Sequence, residues 1–144
     1  MTYKKIQVLM LEPGKCPVHT TLSTSDYALR KAVNIGISNH YKYKCKRFDG
    51  DICILYNRRN IRSPLIPNRL IDGEILRGVI YVVGVTSKNE LRSLTFEEFF
   101  KYFKRFFVPE EYSDAEATTT NLTYAYKVQI KKLPSKVVEL KTRD

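Results

Sequence analysis

Two short apolar runs, Ile52–Tyr56 and Val79–Val85, constrain the fold more than any other feature of the chain. Each is built from β-branched and aromatic residues and is closed off by Gly or Asn, the pattern of a buried strand. In the first run Ile52, Ile54 and Tyr56 share one side and Cys53 and Leu55 the other, so neither side is polar. Such a strand belongs inside a sheet that is covered on both faces. Between the runs lies a loop punctuated by Pro64 and Pro67 that carries Arg58, Arg59, Arg62, Asn68 and Arg69. The core and the most unusual polar residues are therefore contiguous in sequence.

The remaining elements fall into place around this segment. Lys5–Leu11 reads as a first strand, stopped by Glu12-Pro13-Gly14, and Lys15 to Thr24 reads as a loop. Ser25 and Asp26 supply helix-start chemistry for a helix to Val33, with Tyr27, Ala28, Leu29 and Ala32 turned inward and Gly36 ending it. His40–Lys46 alternates: Tyr41, Tyr43 and Cys45 form an inner face, while His40, Lys42, Lys44 and Lys46 form a solvated cationic face. Asp49-Gly50 predicts a tight turn that pairs this strand antiparallel with 51–57. Ile75–Val85 reads as one long strand with a bulge at Gly78. Thr95 with Glu98 forms a capping box for a helix whose Leu94, Phe96, Phe99, Phe100, Phe103, Phe106 and Phe107 make a wide apolar stripe against the sheet. Val108–Asn121 reads as an exposed acidic and Thr-rich connection. Leu122, Tyr124, Tyr126, Val128 and Ile130 alternate with polar residues as a late strand, hairpinned through Pro134-Ser135 to Lys136–Leu140. The expected fold class is α+β: a single domain over 1–144, with a mixed, mainly antiparallel sheet, two packed helices and a C-terminal β extension over about 122–140.

The net charge of +10 over 144 residues is the strongest compositional signal, and it points to an acidic partner such as nucleic acid or an anionic protein surface. It is uneven. Arg30–Arg62 holds nine basic residues against Asp49 and Asp51, a net of +7, whereas Glu110, Glu111, Asp114 and Glu116 form an acidic patch. No apolar run approaches the roughly 20 residues of a membrane span. The N-terminal apolar stretch is interrupted by Gln7 and Glu12, so it reads as a strand in a cytoplasmic protein without membrane contact. Cys16, Cys45 and Cys53 share no metal-ligand spacing, so reduced thiols are expected and no metal or cofactor.

By Asn68-Arg69 the chain resembles a family of small domains of unknown function carried by bacteriophages and mobile elements of low-GC Gram-positive and gut bacteria. The resemblance rests on Val8–Lys15 with its Glu-Pro-Gly-Lys turn and Pro17, a strand ending in Asn57, Pro67-Asn68-Arg69, the Asp72-Gly73-Glu74 turn and a strand closing on Gly84. It covers about 5–112. Arg58-Arg59-Asn60 stands where relatives carry an acidic turn. The resemblance implies a phage accessory role in the bacterial cytoplasm, such as blunting a host defence system, and brings no reaction with it.

Two sets of residues are candidates for function. Lys42, Lys44, Lys46, Arg47, Arg58, Arg59 and Arg62 form a basic surface for a host defence protein, a nucleoprotein complex or nucleic acid itself. Asn57, Asn68 and Arg69 form either a small polar pocket for an anionic, nucleotide-like ligand or a set of structural ties, with Asn capping turns and Arg gathering loop carbonyls. No spacing of His, carboxylate and nucleophile stands out and no Gly-rich phosphate loop is present, so a non-enzymatic protein without catalytic residues is expected.

Overall fold

In chain order the elements are β1 (Lys5–Leu11), β2 (Val18–Ser23), α1 (Asp26–Val33), β3 (Tyr43–Asp49), β4 (Ile52–Asn57), β5 (Pro67–Ile71), β6 (Glu74–Arg77), β7 (Ile80–Val85), β8 (Leu91–Arg92), α2 (Phe96–Arg105) and α3 (Asp114–Lys131). The computed structural model describes residues 4–38, 41–59 and 63–132. The six-stranded sheet runs β2-β1-β7-β4-β3, with β8 also on β7, and β5-β6 forms a separate two-stranded sheet. The expected α+β architecture is present, and every pairing among the described strands is antiparallel.

The two apolar runs are sheet neighbours, with Ile54 opposite Val82. Alternation sends their side chains to two cores. Ile6, Val8, Cys53, Leu55, Tyr81 and Val83 pack against Leu29 and Val33 of α1. Leu9, Leu11, Ile54, Tyr56, Ile80 and Val82 pack against Tyr102 and Phe106 of α2 and against Ile71 and Leu76 of the β5-β6 hairpin. Each fully buried aliphatic side chain contributes roughly 1.5–3 kcal/mol, so the three central strands supply most of the driving force.

Local chemistry sets the boundaries. Ser25 caps α1 by accepting from the Ala28 amide, and Leu29 and Val33, not Tyr27, face the sheet. Thr95 and Glu98 form the expected capping box. Glu98 also receives both guanidinium nitrogens of Arg92 at 2.8 and 2.9 Å, which fastens the start of α2 to β8. Arg92 crosses β7 at Gly84, where a Cβ would collide with its guanidinium.

Four sequence expectations need correction. Residues 18–23 are a strand, not loop, because β1 offers them a paired edge. The expected long strand 75–85 is two strands in different sheets. Gly78 lies between them at φ +77°, a left-handed conformation open to glycine, with Leu65 packed where a side chain would begin. Only Tyr102 and Phe106 of the aromatic helix are fully buried, while Phe96, Phe100 and Phe107 are exposed. Residues 114–131 are helical, so the expected β extension is absent over 122–131; its remainder lies outside the described residues. Ser113 and Glu116 form a second capping box that nucleates α3. Asp114, Thr118 and Asn121 then recur at helical spacing against the β5-β6 hairpin. The alternating apolar residues of 122–130 do not form a strand face, and Leu122, Tyr126 and Ile130 point to solvent.

The Arg92 pair holds the Glu98 carboxyl down to about 2, with burial opposing and the Thr95 amide assisting. The native state therefore binds fewer protons than the unfolded chain between the ordinary value of 4.5 and about 2. Its contribution is complete above that window and is lost as pH falls through it. Urea unfolding should give Glu98→Gln a deficit of about 1–2 kcal/mol at neutral pH, after screening at this partly exposed site, shrinking towards zero near pH 2.

Candidate functional site

The basic residues separate into those the protein uses internally and those it leaves exposed, without an ion pair among the described residues. Lys46 lies on the face of β3 that also carries Phe48, beneath α3. Its ammonium is 3.7 Å from Glu74 and 5.5 Å from the Tyr124 ring centre. Arg47 points to the opposite face and is held by the Gly50 carbonyl, Asn89 Oδ1 and, at 3.9 Å, Asp51. The expected solvated cationic face of β3 is therefore covered at Lys46, and Arg47 of the expected basic surface lies on the other face of the sheet. Arg62 and His40 lie outside the described residues.

Four cations remain together at the open end of the β3-β4 hairpin. The Arg58 amide donates to the Lys42 carbonyl at 2.9 Å, which sets Arg58 opposite Lys42 just past the paired strands, with Lys44 further along β3 opposite Tyr56 and Arg59 next in the chain. All four are exposed, and no carboxylate among the described residues forms an ion pair with any of them. Arg59 is the most constrained. Its guanidinium sits 5.2 Å from the centre of the Tyr41 ring, and its amide donates to Asn57 Oδ1 at 2.8 Å. A guanidinium held over an aromatic ring keeps its donors available while losing some freedom beforehand. The cluster can attract and orient an anionic group at low desolvation cost.

Asn57, Asn68 and Arg69 are all buried, but they do not form one pocket. Asn57 donates to Asn34 Oδ1, while Asn34 in turn donates to the Arg30 and Tyr41 carbonyls. That network ties the end of β4 to the end of α1 and sets the position of Tyr41 and Arg59. Asn57 therefore supports the cationic cluster from beneath. Neither Asn34 nor Tyr41 was legible as part of it.

Asn68 and Arg69 work elsewhere, sharing no partner with Asn57 among the described residues. Asn68 donates to the Leu11 and Gly78 carbonyls at 2.8 and 2.7 Å and accepts from Arg69. The Arg69 guanidinium donates to the carbonyls of Lys15 and Phe106 at 2.8 and 2.9 Å and, at 3.4 Å, to Glu12. Of the two sequence readings, the structure has the structural ties: Arg69 gathers loop carbonyls. Burial lowers its pKa and the nearby Glu110 partly restores it.

A cavity of about 570 Å³ opens between the Pro13-Gly14 turn and the start of α3, with Pro67, Glu110, Tyr112 and Glu116 on its walls. The Tyr112 hydroxyl donates to Glu110, and burial with that bond pushes its pKa up to about 12. Among the described residues no group of three or more His, Cys, Asp or Glu side chains is placed to hold a metal ion. No family model, curated protein or solved structure matches the chain.

Asn68→Ala leaves two buried carbonyls and one Arg69 nitrogen without their partner. It should cost about 2–4 kcal/mol in urea unfolding, whereas Lys46→Gln should cost less than about 1 kcal/mol. Equal losses from the two variants would contradict the division between internal and surface roles.

Proposed function

We propose that the chain is a non-enzymatic accessory protein of a phage or mobile element that docks on an anionic face of a host protein or nucleoprotein complex and blunts a defence system. The observation that carries the docking surface is the set of four exposed cations Lys42, Lys44, Arg58 and Arg59, none in an ion pair among the described residues, with Arg59 held over Tyr41. The accessory role rests on the sequence resemblance of the Glu-Pro-Gly-Lys turn and the Pro-Asn-Arg segment. Four contacts are few for a protein that holds duplex nucleic acid alone at physiological salt, which favours a folded partner over naked nucleic acid.

Replacing Lys42, Lys44, Arg58 and Arg59 together by Gln should leave the unfolding free energy from urea titration within about 0.5 kcal/mol of wild type. The same change should lower affinity for a complex captured from host lysate by roughly two orders of magnitude. Lys46→Gln with Arg47→Gln, at equal loss of charge per residue, should change affinity little. Equal effects of the two sets would remove the assignment of the docking surface. Tight binding of bare duplex DNA, with a log–log salt slope near about −4, would instead make the chain a direct nucleic-acid module.

A further inference from the structure

Phe96, Phe99, Phe100 and Phe103 of α2, with Phe107 just past its end, form a continuous run of rings, of which Phe99 and Phe103 also pack against the core. Phe96 and Phe100 stand 4.8 Å apart, Phe99 and Phe103 5.8 Å, and Phe103 and Phe107 5.5 Å, centre to centre. Phe96 is 73% exposed, Phe100 49% and Phe107 48%. Taking ~200 Å² for a whole phenylalanine, these three leave on the order of 350 Å² of aromatic surface in water. That is about half of the ~800 Å² each partner contributes to a stable complex, the right size for its apolar centre.

The charges along the row identify what covers it. Helical periodicity places Glu97 and Lys104, two turns apart, on the same outer side of the row. Both are exposed, and neither forms an ion pair among the described residues. The other cations of the helix are engaged within the protein: Lys101 is 3.1 Å from Asp49, and Arg105 lies 4.4 Å from the Phe48 ring centre. The rim thus carries one free acid near its N-terminal end and one free base near its C-terminal end. A bilayer of anionic lipid or an acidic peptide would meet Glu97 as a repulsive group. A second, antiparallel α2 would not. A two-fold axis passing between Phe100 and Lys101 sets Glu97 of each copy opposite Lys104 of the other. The same axis brings Phe107 of the second copy level with Leu94, beside a groove of about 390 Å³ lined by His19, Leu94, Phe96 and Phe99.

The geometry points to α2 as the surface through which two copies of this chain form an isologous antiparallel helix pair, with Phe96, Phe100 and Phe107 at its centre and reciprocal Glu97–Lys104 ion pairs at its rim. The dimer is independent of the anionic-partner surface, which lies where β3 begins and β4 ends and uses none of these residues.

Sedimentation equilibrium from about 1 µM to about 500 µM should show reversible dimerisation of the wild type. Phe100→Glu should be monomeric throughout with an unchanged far-UV spectrum. Glu97→Lys and Lys104→Glu should each weaken self-association by about tenfold or more, because each places like charges opposite one another. An equimolar mixture of those two variants should recover it, since every rim pair in the mixed dimer is attractive. A wild type that stays monomeric over this range overturns the inference, as does a dimer indifferent to Phe100→Glu. Failure of the mixed variants to complement overturns it as well. So does a monomeric wild type that binds phosphatidylserine vesicles through the row.

Discussion

A guanidinium with no exposed surface, held by three backbone carbonyls from two separate stretches of chain, is the constraint on which the rest of the structure depends. Arg69 connects the turn after β1, through Glu12 and Lys15, to the end of α2 at Phe106, and Asn68 extends the junction to Leu11 and Gly78. A buried charge without a carboxylate partner is tolerable only when most of its donors are satisfied. Here three carbonyls and the Asn68 amide oxygen take the two terminal nitrogens, while the buried Nε has no partner among the described residues. The two-stranded β5-β6 sheet would be marginal alone. Arg69, Arg77 and Asn121 fix it from its two sides. Arg77 reaches Leu65, Asp114 and Thr118, while Asn121 both accepts from and donates to the Ile75 backbone, as a further strand would.

That internal use of polar groups changes how the charge of the chain should be understood. Read as a number, +10 suggests a broadly cationic molecule. In the fold, Lys46, Arg69, Arg77 and Arg92 each hold one segment against another, and Arg47 and Lys101 pair with carboxylates of the β3-β4 turn. Lys42, Lys44, Arg58 and Arg59 remain together because β3 and β4 end side by side and Asn57 draws the following residues back over Tyr41. The exposed cationic cluster is therefore a product of strand register more than of composition.

Features governed by neighbours in the chain were legible, and features governed by distant partners were not. The central strands announced themselves by runs with no polar side, the β3-β4 hairpin by Asp49-Gly50, and α2 by Thr95 and Glu98. The strand Val18–Ser23 carries too little hydrophobicity to stand out, and it forms because β1 presents an unpaired edge. In α3 the alternation of Leu122, Tyr124 and Tyr126 imitated a strand. The signal that decides the matter, Ser113 with Glu116, sits upstream in what read as a connection. Gly78 was recognised as a disturbance, but the sequence carries no mark of how far the chain turns there. Arg69 was legible as a choice between a pocket and a tie, and only the positions of Lys15 and Phe106, far apart in sequence, resolve it.

Native-state amide hydrogen exchange on Arg69→Lys tests this junction most directly, because lysine keeps the charge but cannot span the same carbonyls. If Arg69 joins the segments, amides of β5-β6 and of the last turn of α2 should lose protection together, by about 2 kcal/mol or more. Unchanged protection in both, with any loss confined to the Glu12–Lys15 turn, would show that the apolar cores alone hold these parts in place.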